Sequence, residues 1–150
     1  MKNVMYRMAL RLAPSTQEAE DIVQDVMIKL WNMRERLESV DNLEAFALRM
    51  TRNLALDRQR MHINNTENID DIEAERFATT DHSESREQVE SIRKVMQQLP
   101  ERQRSAMHLR DFEGYSYKEI AEMLEMTEDQ VKVNIFRARQ YVKTKLTSFN

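Results

Sequence analysis

A chain of 150 residues with one Gly, two Pro and no Cys, 41% of it apolar and 33% charged, has room for one domain or two small ones. So little turn chemistry argues against an all-β fold and for helices with short polar connections. The absence of cysteine excludes disulfides and thiolate metal sites and fits a reducing, cytoplasmic setting; no apolar run approaches the roughly 18–20 residues of a membrane span, and MKNVMYRM lacks the apolar core of a signal peptide.

The first helix is predicted from Met1 to about Ala13, with Met5, Ala9 and Leu12 on one face. Pro14-Ser15 breaks it, and Ser15-x-x-Glu18 is a capping box that starts the second. Ile22, Val26 and Leu30 recur there at i, i+4 and i+8, reinforced by Val23 and Met27, with Trp31 expected in the core. A loop from about Glu35 to Asn42 leads to a third helix, Leu43 to about Met61. Its expected core face is Phe46, Met50, Leu54 and Asp57, extended by Ala47. The eleven methionines read as soft, adaptable core packing.

The net charge of −3 is unevenly spread: residues 1–62 carry +1, residues 63–88 carry −6 and residues 89–150 carry +2. Local faces matter more than the total for a polyanionic partner. The acidic middle, INNTENIDDIEAERFATTDHSESREQ, has no sustained apolar period and too little apolar surface to offset its ordering entropy. It reads as a linker, with Ile69, Ile72 and Phe77 as transient anchors. Stretched out it would span roughly 85–90 Å, and as a flexible coil ~25–30 Å.

Beyond the linker, Val89, Ile92, Val95, Met96 and Leu99 mark an amphipathic helix. Pro100 suits the first turn of the next, which is predicted to run to Asp111 with Met107 and Leu109 inward. Glu113-Gly114 is a turn that uses the left-handed freedom of the only glycine. Ser116-x-x-Glu119 caps a short helix, Tyr117 to Leu124, and Thr127-x-x-Gln130 caps the last. In that last helix Val131, Ile135, Ala138 and Val142 share one face, with Glu128 and Asp129 in the first turn where they complement the dipole. Val133 and Phe136 lie off that face. They either widen the core stripe, Phe136 packing on the preceding helix, or point outward.

A short helix, the turn Glu125-Met126-Thr127 and a longer basic helix make a helix-turn-helix, in which the second helix enters the major groove. Lys132, Val133, Phe136 and Arg137 are then base-edge candidates: Arg grips guanine and an apolar group packs on a thymine methyl. Arg139, Lys143 and Lys145 are phosphate candidates, positioning without specifying. A merely solvated basic face is the plain alternative. A stand-alone regulator would need a sensing or dimerising domain, and residues 1–62 show no alternating strands or phosphoacceptor carboxylate. An adaptor or small helical enzyme is the remaining rival. His62, His82 and His108 are too scattered for a metal site, and no H-x-x-x-H, E-x-x-H or Gly-rich phosphate loop occurs; no catalytic residue, metal or cofactor is expected.

LPERQRSAMHLRDFEGYSYKEIAEMLEMTEDQVKVNIFRARQYVK resembles the C-terminal domain of extracytoplasmic-function sigma factors of bacterial RNA polymerase. EAEDIVQDVMIKLW and NLEAFALRMTRNLALDRQR resemble the N-terminal domain of the same family. The resemblance implies an all-α protein: an N-terminal domain over residues 1–62, a flexible acidic linker over 63–88 and a helix-turn-helix domain over 89–150. Asp21, Gln24 and Asp25 match the surface that docks on the clamp helices of core polymerase, and their spacing puts them on one polar helix face. Asn53 and the loop Ser39 to Leu43, with Asn42 and Leu43 at its end, match elements that capture unpaired bases of the minus-ten element. Arg49, Arg52, Arg58 and Arg60 would hold single-strand phosphates there. Asp57 falls in the family's N-L-A-x-D pattern, with bonding inside the domain as its expected role. Lys132, Val133, Phe136 and Arg137 match positions that read the minus-thirty-five element. The implied partners are core RNA polymerase, promoter DNA and an anti-sigma factor that holds the two domains together; no small-molecule substrate and no membrane insertion are implied. The tether would lie in a basic polymerase channel. One departure is the stretch of helix that usually precedes the position of Tyr6, which here is missing or very short.

Overall fold

A computed structural model of the chain describes residues 1–64 and 84–148. Helix α1 spans Lys2–Leu12 and stops where Ala13, preceding proline, turns extended at φ −85° and ψ 153°. Ser15 is the N-cap of α2, Thr16–Asn32, and its hydroxyl accepts a 3.1 Å hydrogen bond from the Glu18 N–H. A single 3₁₀ turn, Arg36–Ser39, interrupts the loop. Asn42 then caps α3, Leu43–Asn64, its side-chain oxygen accepting from the Ala45 N–H at 3.0 Å. These three helices pack on one another pairwise. Their core holds Met5, Met8, Ala9 and Leu12 of α1 and Ala19, Ile22, Val23, Val26 and Leu30 of α2.

The core face of α3 differs from the expected one. Ala45, Ala47, Leu48, Thr51, Arg52 and Ala55 are buried, whereas Phe46, Met50 and Leu54 are half-buried. Asp57 is exposed and forms an i,i+3 pair with Arg60 at 3.5 Å. Two stripes of equal period overlap in this helix, and the one rich in alanine faces inward because small side chains let the neighbouring helices approach closely. Thr51 satisfies its buried hydroxyl by donating to the Ala47 carbonyl at 2.8 Å. Two α2 residues expected in the core are also outside it: Met27 is 38% exposed and Trp31 66%.

The described residues fall into two compact units, one within Met1–Ala78 and the other within Thr79–Asn150. Helix takes in both ends of the expected tether, through Asn64 and again from Glu84. The remainder of that stretch, with Ile69, Ile72 and Phe77, lies outside the described residues.

In the second unit α4 covers Glu84–Met96, α5 covers Glu101–Met107 and a π-helical turn follows at His108–Phe112. Pro100 sits just ahead of α5 as its N-cap. The end of α4 is held by Arg104, whose guanidinium donates to the carbonyls of Met96, Gln97 and Leu99 at 3.2, 3.2 and 2.9 Å. Burial lowers its pKa from the ordinary value, an effect opposed by nearby Glu101. His108 is buried, its Nε2 lying 3.2 Å from Glu113 Oε2, and its ring stacks on Phe112 at 5.7 Å. Gly114 takes φ +80° as its turn requires.

Helices α6, Tyr117–Leu124, and α7, Glu128–Ser148, complete the unit. Both capping boxes close: Ser116 with Glu119 at 3.1 and 3.1 Å, Thr127 with Gln130 at 3.1 and 3.0 Å. Val131, Ile135, Ala138 and Val142 of α7 are all buried. The last two pack with Val95, Met96, Leu99 and Met107. Among the described residues there is helix but no strand, and no helix long and apolar enough to cross a membrane.

The turn between α6 and α7 carries Glu125 in the left-handed region, at φ 57° and ψ 49°. That conformation costs a non-glycine residue about 1–2 kcal/mol. Glu125→Gly is therefore expected to stabilise this unit by about 0.5 kcal/mol, because glycine's greater unfolded-state entropy offsets part of the gain. Slower hydrogen exchange of the α6 and α7 amides would register it; faster exchange would contradict it.

Candidate nucleic-acid interface

In the first unit, Asp21 and Gln24 stand exposed on the outer face of α2 while Asp25 is half-buried. Asp25 is gripped by Arg58 of α3, so one of the expected docking carboxylates is tied to one of the expected phosphate-binding cations. The same outer face continues into apolar residues. Ile28 is 57% exposed and Trp31 66%, with the Arg34 guanidinium 4.5 Å from the centre of the indole. Residues 21, 24, 28 and 31 follow the helical period along one stripe, opposite Ile22, Val26 and Leu30. The helical spacing of Trp31 from Gln24 was the signal that could have assigned it to this face; its apolar character had suggested the core.

The expected minus-ten residues lie along α3 and at its start. The Asn42 side chain is engaged as the N-cap, and Leu43 beside it is 37% exposed. Arg49 is half-buried and Asn53, one turn further on, is exposed, whereas Arg52 faces inward and is buried. Asn42, Arg49 and Asn53 thus form one stripe, from which Arg52 is turned away. Arg60 stands exposed in its pair with Asp57.

The second unit presents a helix-turn-helix. On α7, Lys132, Val133, Phe136 and Arg137 project together on the side opposite the buried stripe. Phe136 is 63% exposed and Val133 44%, so neither widens the core. An apolar pair kept in water amid unopposed positive charge is a surface for another molecule. The first turn of α7 is rigidly set: besides the capping box, the Asn134 amide donates to the Gln130 carbonyl at 2.7 Å.

Arg139 points elsewhere. Asp111 of the π turn accepts from its guanidinium through both carboxylate oxygens, Nε to Oδ2 at 3.0 Å. Hydrogen bonding to Asp111 raises the Arg139 pKa further above its ordinary value. Lys143 and Lys145 are exposed at the far end of α7, with Lys145 Nζ 5.5 Å from the Tyr141 ring centre. Among the described residues no group of acidic and histidine side chains has the arrangement of a metal site.

Comparison with known proteins matches these two units separately. Residues 1–62 match the family model of sigma-70 region 2, and residues 89–142 match that of sigma-70 region 4. The RNA polymerase sigma-H factor of Pseudomonas aeruginosa is 32% identical over 148 residues, an alignment covering 89% of this chain and 75% of that protein. The ECF RNA polymerase sigma factor SigM of Bacillus subtilis is 26% identical over 145 residues, covering 94% and 87%. In fold, the chain is similar to the sigma factor RpoE in its complex with the anti-sigma factor NepR from Bartonella quintana. The TM-score is 0.81 at 24% identity, over 97% of this chain and 91% of that one. Two helical units, each matching a sigma region in the expected order, and a relative at this identity identify the chain as a member of the extracytoplasmic-function group of RNA polymerase sigma factors, which direct promoter-specific initiation of transcription.

Proposed function

We propose that the two units divide the work of initiation by residue. The outer face of α2 docks on core polymerase, with Asp21, Gln24 and Asp25 supplying charge and hydrogen bonds and Ile28 and Trp31 supplying apolar area. The Asn42–Asn53 side of α3 takes the melted minus-ten strand. Leu43 and Asn53 are exposed to meet unstacked bases and Arg49 is near enough to meet phosphates. The exposed face of α7 reads the minus-thirty-five duplex, Arg137 at a guanine edge and Val133 and Phe136 against thymine methyls. Residues 63–88 act as the tether between units centred on 1–62 and 89–150, and their acidity suits a basic channel of the polymerase.

The observation that supports this reading best is the exposure of Phe136 and Val133 beside Arg137 on the second helix of a helix-turn-helix. We further propose that the protein acts in the cytoplasm, performs no catalysis of its own, and is held inactive by an anti-sigma factor that covers both faces. Co-purification with bacterial core polymerase and run-off transcription from a promoter library test the whole. Association at micromolar concentration and transcripts from a shared promoter pattern are expected; no association with core would sink the reading.

A further inference from the structure

Arg139 differs from the cations around it. By helical period it belongs to the stripe of Lys132, Phe136 and Lys143, at i, i+4, i+7 and i+11 of α7, which should carry it toward the same duplex. Its guanidinium is instead drawn aside to Asp111, Nε donating to Oδ2 at 3.0 Å and Nη2 to Oδ1. Among the described residues Lys132, Arg137 and Lys143 have no carboxylate within ion-pair distance. The Asp111 carboxylate is held in place by its own turn, where the His108 ring stacks on Phe112 at 5.7 Å and His108 Nε2 lies 3.2 Å from Glu113 Oε2. Stability alone accounts poorly for the pair. Its two side chains are 47% and 28% exposed, and ion pairs so open to water add little to a fold. What the two hydrogen bonds do fix is the direction of the guanidinium.

We infer that Asp111 is a specificity-determining residue: it withholds Arg139 from the phosphate backbone, so that recognition of the upstream duplex falls to the base-edge residues of α7. The inference rests on the duplex-reading role proposed for α7 and extends it. A phosphate contact adds affinity for every sequence and information about none. Discrimination is a difference between affinities, and it is lost when the wrong partners gain more than the right one. On the correct duplex the base contacts fix where α7 lies, and a released Arg139 would take only the phosphate within its reach. On any other duplex α7 is not so fixed and would settle where the released guanidinium binds best. The wrong sequences would therefore gain more, and the pairing with Asp111 prevents it. Arg139 thereby leaves the set of phosphate contacts, and the carboxylate that neutralises it joins the residues that decide sequence preference.

The test uses the full chain assembled with core polymerase and two duplexes: the upstream element selected by the promoter library, and the same duplex scrambled. Phosphate contacts release counterions, so each one added should steepen the slope of log affinity against log salt by about 1. Asp111→Asn keeps the shape of the side chain and removes its charge. It is expected to tighten binding of the scrambled duplex roughly 3–10-fold at ~0.1 M salt, with that steeper slope. Binding of the selected duplex should tighten less, so the preference between the two falls. A residue that merely braced α7 would act with the opposite sign, its loss weakening the selected duplex and steepening no slope; that result would overturn the inference. Combining Asp111→Asn with Arg139→Gln should abolish the gain, and Arg139→Gln alone should leave the slope unchanged. A gain that persists in the double variant would reflect only the lost repulsion of a carboxylate. A flatter slope in Arg139→Gln would mean that Arg139 already holds a phosphate, and either result would also overturn the inference. Arg137→Ala separates the two levels. If it loses preference for the selected duplex, the reading of α7 stands whatever Asp111 does; if it loses none, that reading fails and the role of Asp111 with it.

Discussion

Trp31→Ala is expected to lower the affinity for core polymerase by about 30-fold, corresponding to ~2 kcal/mol, with little change in the stability of the N-terminal unit. A tryptophan left 66% exposed contributes little to its own fold, and surface substitutions of that kind change stability by about 0.5 kcal/mol or less. What it offers is area to a partner, and an indole partly covered by Arg34, on one stripe with Gln24 and Ile28, has the composition of an interface anchor. Arg34 over the indole reduces the entropy to be lost on binding by holding the ring in place. Asp25→Ala makes the informative contrast. Because Asp25 also pairs with Arg58, its loss should disturb both docking and the packing of α2 on α3. Titration of labelled core polymerase alongside thermal melts separates the two effects. Unchanged core affinity in Trp31→Ala would remove the apolar stripe from the docking face.

Arg137→Ala is expected to cost about 1–3 kcal/mol of discrimination at one base pair of the upstream element, roughly 5–150-fold, while core binding stays intact. Arg137 is exposed on α7 beside Phe136 and Val133, within two turns of buried Val131 and Ile135, which fix the direction in which it projects. The loss should appear as relaxed preference at a single position, measured by competition among single-base variants of the selected promoter. Phe136→Ala should relax a neighbouring thymine by a smaller factor. Uniform weakening across all variants would make Arg137 a phosphate contact, and loss of core binding as well would indicate misfolding.

How much of this was legible beforehand varies with the range of the interaction. The capping boxes at Ser116 and Thr127 involve partners three residues apart, and both close as their spelling indicates. The buried stripe of α7 follows from the same short arithmetic, as does the left-handed Gly114. In α3 the arithmetic admitted two stripes. Size favoured Phe46, Met50 and Leu54, whereas the close approach of α1 and α2 favoured Ala45, Leu48 and Ala55 beside the expected Ala47. The pair Asp111–Arg139, 28 residues apart, leaves no local trace.

By itself, then, the sequence determined that this protein is helical, where most helices begin, and which basic helix follows the turn at Glu125. Those properties arise from capping and periodicity, which act within a turn or two of the chain. Only the tertiary structure decided which side of each helix is left over for partners. Trp31 is outside because Ile22, Val26 and Leu30 fill the space between α1 and α3. Phe136 is outside because Val131, Ile135 and Ala138 occupy the one face that α5 and α6 can cover. The pairing of Arg139 with Asp111 is of the same kind, since it requires α7 and the π turn to meet.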